Sequence, residues 1–297
     1  MGKQALCFVK NEEYKLFNEG QQKELPATFV PREICETVEA NYLQIIPYVV
    51  FYYVDFAEGK LNFFTYTRAN SITEERLQGK MSLGVGGHID SVSDIVCEHI
   101  TVTAIGENDT AVSDVYHMTA LDLRDTVIRT AKREVQEELG NVAVLDKIEM
   151  YRDNIVVFNL DSSDVDKVHS CYMVPVQLTL EEMQDMLANE GFDKSEVASV
   201  GVMPLNFKYL LEGFNFDKAL SEMIEEINQK CNIETWGSAG VYIISNMVFN
   251  LFKEISYEDL AKVLASKVEA QQAISKAAET TEEQPQTEID SAAPGVV

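Results

Sequence analysis

The sequence predicts a layered α/β domain followed by helices, and three observations carry that prediction. Residues 42–68 hold two runs rich in β-branched and aromatic side chains, LQIIPYVVFYYVDF and LNFFTYTR. Residues 121–139 repeat apolar side chains at helical spacing. Beyond about residue 210 strand-like runs stop and helical periodicity remains, so a mixed part is followed by a helical appendage.

Taken in chain order, residues 1–41 read as an N-terminal extension and 42–212 as the main domain. Its first element is a β-hairpin, because Ala57-Glu58-Gly59-Lys60 is a Gly-containing connection between the two runs. SLGVGGHID at 82–90 places three glycines among small and apolar residues, which lets another backbone or a ligand approach closely. Residues 91–120 read as an irregular or hairpin insertion. The 121–139 helix follows, with Gly140 placed to cap it. NVAVLDKIEMY, NIVVFNL and HSCYMVPVQL read as strands, TLEEMQDMLANEG as a helix with an acidic first turn, and EVASVGVMPL as a last short strand. Residues 213–277 form the helical appendage, opened by the single tryptophan, Trp236, as a packing anchor. Residues 278–297 are almost without large apolar side chains and cannot repay ordering entropy, so a disordered acidic tail is expected.

Composition bounds the function. With 46% apolar and 25% charged residues in 297, the chain is neither collagenous, nor fully disordered, nor a multi-span membrane protein. Its formal charge of −25 repels polyphosphate backbones and anionic lipid, so neither long nucleic acid nor a membrane is an expected partner. Five cysteines without a C-x-x-C spacing point to neither a zinc ribbon nor a disulfide framework. With no apolar leader at the N-terminus, a cytoplasmic setting is expected.

The chemistry concentrates on the 121–139 helix. With Val127 at zero and about 100° per residue, the apolar side chains fall between about 0° and 120°. Glu138 falls at about 20°, Glu134 at about −20° and Glu137 at about −80°. Two carboxylates thus sit at or inside the margin of the buried stripe, where an unpaired charge is costly. Arg133 reaches Glu137 one turn on but cannot serve Glu134 and Glu138 as well. Several oxygens converging on one spot suit Mg²⁺, with Mn²⁺ as the alternative. Spacing alone fits an ordinary Glu-rich helix equally well.

The run Arg133-Glu134-Val135-Gln136-Glu137-Glu138-Leu139-Gly140 resembles the core of the Nudix box, G-x5-E-x7-R-E-U-x-E-E-x-G-U with U a bulky aliphatic. Counting back places Asp125 where that family has glutamate, and Thr119 where it has glycine. The glycine pair instead occurs in Gly86-Gly87-His88-Ile89-Asp90, so the alignment inserts roughly 32 residues between Gly87 and Asp125. The strand ending in Pro204-Leu205 and the phrase GGHI are also similar to parts of Nudix domains, the latter to a bacterial phosphoesterase-like subgroup.

This resemblance implies a Nudix-type α/β/α sandwich with a mixed sheet, hydrolysing a nucleoside diphosphate linked to another moiety. It implies Glu134, Glu137 and Glu138 as metal ligands, a Gly87 carbonyl beside them, and Arg133 with Asp125 holding loop and helix in register. Glu134 or a carboxylate at 181–196 is the candidate general base. Arg68, Arg76 and Lys80 are candidate clamps for an anionic substrate, and His88 a candidate phosphate contact. His99, His117 and His169 have no ligand-like spacing and read as structural. The alternative is a catalytically weak or inactive nucleotide-binding module on the same fold, favoured by Asp125 and the displaced glycine. A homodimer through the appended helices is the candidate assembly.

Overall fold

The computed structural model describes residues 3–9, 12–37, 41–55, 58, 60–71, 75–105, 111–140, 143–162, 167–206, 225, 233 and 235–253. The predicted tail at 278–297 lies outside them, as does most of 213–277.

The chain opens with β1 (Gln4–Val9), helix α1 (Glu12–Asn18), β2 (Glu24–Pro31) and a single turn α2 (Arg32–Cys35). β3 (Tyr42–Asp55) and β4 (Lys60–Arg68) form the predicted hairpin, in register from Tyr52↔Phe63 to Asp55↔Lys60. The short β5 (Met81–Ser82) and β6 (Gly84–Gly86) follow, and β7 (Ile100–Ile105) and β8 (Ala111–Thr119) make the 91–120 stretch a hairpin. Helix α3 (Ala120–Leu139) leads to α4 (Leu145–Met150), β9 (Val156–Ser162), β10 (Lys167–Gln177), α5 (Leu180–Ala188), β11 (Val197–Asn206) and α6 (Thr235–Lys253). One predicted strand, NVAVLDKIEMY, is instead the helix α4. Its Leu-Asp-Lys-Ile-Glu-Met segment consists mostly of good helix formers, and Val144 and Ile148 are buried in the cluster that α3 also enters.

The eleven strands among the described residues all belong to one mixed sheet, ordered β11-β4-β3-β1-β2-β8-β7 along its main path. β3 is its axis. One edge carries β10, the only parallel pairing among the described strands, while β1, β6 and β4 share the other in succession. The N-terminal strands β1 and β2 bridge β3 to the 91–120 hairpin, because β2 pairs with both β1 and β8.

Period-two alternation along β3 explains why both faces are covered. Ile45, Val49 and Phe51 enter a cluster with Val127, Ile128, Ala131, Val135 and Leu139 of α3. Tyr48, Val50, Tyr52 and Val54 enter a second cluster with Val241 and Ile244 of α6. A sheet apolar on both faces is the pattern expected when helices lie on either side.

Helix α3 is fixed at both ends. At its start the Thr119 hydroxyl accepts from the Asp122 amide at 3.1 Å and the Asp122 carboxylate from the Thr119 amide at 2.9 Å, a reciprocal capping box. At its end Gly140 adopts φ 78°, and an added Cβ would lie 2.4 Å from the Gly191 carbonyl oxygen, so glycine is required on both counts. The Asn189 side chain donates to the Leu139 carbonyl at 2.6 Å and the Asp193 amide to that of Glu138 at 2.9 Å. The last turn of α3 is therefore held rigidly.

Candidate metal centre

The glutamates of α3 divide as the helical angles predict. Glu138 is 8% exposed, and the Glu134 side chain is 13% exposed against 59% for Glu137. Glu134 lies against the glycine strand: a Cβ built on Gly87 would fall 2.5 Å from Glu134 Oε2. The glycine thus leaves the space that the carboxylate fills, which joins helix and glycine strand at one point.

Burial sets the electrostatics. It pushes the Glu138 carboxyl up to about 8, against the downward pull of the Arg68 guanidinium and the neighbouring Tyr66 hydroxyl, while Glu134 and Glu196 add to the rise. It likewise pushes Glu134 up to about 7 despite Arg133 beside it. Glu138 Oε2 is buried without a hydrogen-bond partner among the described residues. A buried carboxylate oxygen left unsatisfied is unfavourable by itself and is what a cation ligand looks like without its ion.

Arg133 organises the rim. Its Nε donates to Asp94 at 2.8 Å, Nη1 to Glu137 at 2.9 Å, and Nη2 to the His88 carbonyl at 3.3 Å. Nη2 also lies 3.3 Å from Asp90 and 2.9 Å from Glu134. Burial opposes its charge, but Glu134, Asp94 and Glu137 more than offset this and leave its pKa above the ordinary arginine value. The segment 88–96 is fastened to the helix at further points. Arg129 donates to the Ser93 carbonyl at 3.1 Å, and the Thr126 hydroxyl accepts from the Val96 amide at 2.9 Å.

The structure therefore brings together Glu134, Glu138, Gly87, Arg133 and Glu137, with Arg68 near enough to pull on Glu138. The other sequence candidates lie elsewhere. Asp125 pairs with Arg152, not with Arg133. Its place in the helix explains why: α3 already begins at Ala120, so Asp125 and Arg133 are eight residues apart, about 12 Å along the axis and beyond the reach of one side-chain pair. Asp94, 4% exposed, takes the position by Arg133 that the sequence assigns to Asp125. The His88 ring lies 4.0 Å from Glu36, and only its carbonyl serves Arg133. Lys80 contributes its carbonyl to the Arg68 amide at 2.9 Å. The Arg76 side chain lies outside the described residues.

Two participants were not among the sequence candidates, and a third stood there only as part of a stretch. Asp94 stands 39 residues before Arg133 inside an insertion, so no spacing marks it. Tyr66 shares a face of β4 with Arg68, whose guanidinium lies 5.4 Å over its ring, and period-two spacing on that strand was a usable signal. Glu196 closes the 181–196 candidate stretch immediately before β11, where its carbonyl accepts from the Ala69 amide at 2.8 Å.

No protein-family model and no curated protein matches the chain. Among solved structures, similar chains include two Nudix-family proteins. One is a NUDIX hydrolase from Alicyclobacillus acidocaldarius, 11% identical, with a TM-score of 0.35 over 67% of this chain and 90% of that one. Another is a mutT/nudix family protein from Listeria innocua, 16% identical, with a TM-score of 0.27 over 62% of this chain and 95% of that one. At such scores the likeness is slight, and the weight falls on this chain's own residues. No helix among the described residues is long and apolar enough to cross a membrane.

Proposed function

We propose that the chain is a divalent-metal-dependent pyrophosphohydrolase of Nudix type, cleaving the diphosphate bond of a nucleoside diphosphate linked to another moiety. The observation that carries this reading is the pair Glu134 and Glu138, one helical turn apart, the first half-buried and the second buried, both with carboxyls pushed up by burial, and with Glu138 Oε2 lacking a hydrogen-bond partner among the described residues. The donor set of Glu134, Glu137, Glu138 and the Gly87 carbonyl is all hard oxygen, which fits Mg²⁺, or Mn²⁺ in its place. When bound, such an ion neutralises diphosphate oxygens and lowers the pKa of a water.

The chain's own residues supply the rest. Arg133 holds the loop at 88–94 against α3 and so fixes where the glycine strand ends. Arg68 balances Glu138 and, with Arg76 and Lys80, offers positive charge to an anionic substrate in a protein of net charge −25. Glu134, Glu196 or another carboxylate of 181–196 serves as general base. The α/β/α sandwich, the helical appendage, the cytoplasmic setting and a homodimer belong to the same reading.

A second reading, a nucleotide-binding module with little or no turnover, is favoured by one observation: Asp125 is engaged by Arg152 and the register contact passes to an insertion residue, Asp94. A Mg²⁺-dependent hydrolysis screen, read by chromatography of the cleaved nucleotide products, over nucleotide sugars, dinucleoside polyphosphates, NAD-type dinucleotides and oxidised nucleotides separates the two. Turnover of one class, lost on chelation, supports the hydrolase. Metal or nucleotide binding with no release from any class supports the module.

A further inference from the structure

A second constellation lies on the far part of the sheet, where β2, β8 and the segment entering β7 meet. His117 on β8 and His99, just before β7, stack with ring centroids 4.4 Å apart and planes inclined by 23°. Glu24, the first residue of β2, places Oε2 2.9 Å from His99 Nδ1. One ring nitrogen of each histidine and one Glu24 oxygen lie within 4.8 Å of one another. The backbone enforces this meeting, because β2 and β8 pair as Pro26↔His117 and the His117 amide donates to the His99 carbonyl at 2.9 Å.

From this geometry we infer that Glu24, His99 and His117 form a binding site for a borderline-soft divalent metal of the Zn²⁺ class, which ties the 91–120 hairpin to β2. The inference does not rest on the hydrolase reading. Two imidazoles and one carboxylate are a donor set suited to Zn²⁺ and poorly suited to Mg²⁺, which prefers oxygen and water. Two donors each about 2.1 Å from one tetrahedral ion stand about 3.4 Å apart, so an ion taking the place of the shared proton needs His99 Nδ1 and Glu24 Oε2 to open from 2.9 Å by only about 0.5 Å.

A supporting contact is already present. The Thr101 hydroxyl lies 2.8 Å from His117 Nε2, fixing that ring and leaving Nδ1 as its other donor. The Cys97 thiol, in contact with both histidines, donates to the His99 and His117 carbonyls at 3.4 Å each. Three protein ligands leave a fourth tetrahedral position open to water or an external donor.

The test uses the full chain carrying Glu134→Gln and Glu138→Gln, so that the α3 carboxylates cannot hold the ion, stripped of metal and titrated with Zn²⁺ and with Co²⁺. The expected result is one equivalent of Zn²⁺ not displaced by excess Mg²⁺, with Co²⁺ giving tetrahedral d–d bands and no thiolate charge-transfer band. Adding His99→Asn or His117→Asn should weaken Zn²⁺ binding at least about tenfold. If circular dichroism shows either histidine variant unfolded, Glu24→Gln, at the strand start, takes its place with the same expected loss. No Zn²⁺ binding, binding indifferent to all three substitutions, or a thiolate band would overturn the inference. Because the background already disables the α3 site, failure here leaves the hydrolase reading standing, and the reverse.

Discussion

Replacing Glu138 by glutamine should move stability and activity in opposite directions. The folded-state carboxyl sits at about 8 against an ordinary 4.5, so below pH 4.5 both folded and unfolded states hold the proton and folding feels no penalty. As pH rises through that value the unfolded chain ionises while the folded one keeps its proton, and metal-free stability falls steadily until about pH 8. The ceiling on that loss is about 5 kcal/mol, and side-chain relaxation with water entry leaves about 1–3 kcal/mol of it. Glutamine keeps the shape and removes the charge. The metal-free variant should therefore melt about 3–8 °C above wild type at pH 8 and within about 2 °C of it at pH 5. The same change removes a proposed metal ligand, so diphosphate hydrolysis should drop at least about 100-fold, roughly 2.7 kcal/mol of transition-state stabilisation. Thermal melts at both pH values with and without Mg²⁺, beside chromatography of the cleaved nucleotide products, read all of this. A variant that melts lower than wild type at pH 8, or keeps wild-type turnover, would refute the placement of Glu138 as a buried, ion-seeking carboxylate.

The remaining predictions use other contacts. Asp94→Ala should cost about 1–2 kcal/mol by urea unfolding, since it takes the acceptor from the part-buried Nε of Arg133 while Nη1 and Nη2 keep theirs, and should lower hydrolysis at least about tenfold; Asp125→Ala should cost under about 1 kcal/mol and leave hydrolysis within twofold. Gly87→Ala displaces only the flexible end of Glu134, so stability should change by less than about 1 kcal/mol while Mg²⁺ affinity by calorimetry falls at least about tenfold. Mg²⁺ affinity should climb between pH 6 and 8, because Glu134 at about 7 and Glu138 at about 8 must release protons to bind it. Calorimetry in buffers of different ionisation enthalpy should show one to two protons released per ion.

What was legible in the sequence follows from the range over which each signal acts. The β3–β4 hairpin and α3 are local patterns, and each forms where periodicity placed it. The burial order of the three glutamates was equally local, since angular position on a helix is fixed by residue number alone. Asp94 was hidden because its partner is 39 residues away and the insertion has no periodicity of its own. The error over Asp125 has the same root. Motif spacing assumes a loop before the helix, whereas here β8 runs into α3 through the Thr119 cap, so a position counted as loop becomes helix interior. The misread strand at α4 shows the complementary limit: valines near Val144 outweighed a helix-forming segment whose packing against the α3 cluster decides the matter.

The charge arrangement around α3 gives a reason for the metal that does not depend on any motif. Six carboxylates, those of Asp90, Asp94, Glu134, Glu137, Glu138 and Glu196, act on one another there, against the two guanidiniums of Arg133 and Arg68. Without an ion the cheapest relief is protonation, and Glu134 and Glu138 take it because they are the two that burial penalises most. The exposed Glu137 stays with Arg133 instead. A divalent cation offers the same relief without a proton and satisfies Glu138 Oε2 as well. On the proposed reading, an ion held by Glu134 and Glu137 would weaken their hold on Arg133 and leave that guanidinium to Asp94, Asp90 and the His88 carbonyl. Metal binding should therefore tighten the 88–94 loop against α3. Hydrogen exchange at the amides of 88–96 reads that coupling directly: protection should rise with Mg²⁺ in wild type and stay unchanged in Glu138→Gln, and a rise of equal size in both would mean that the ion acts somewhere other than this helix.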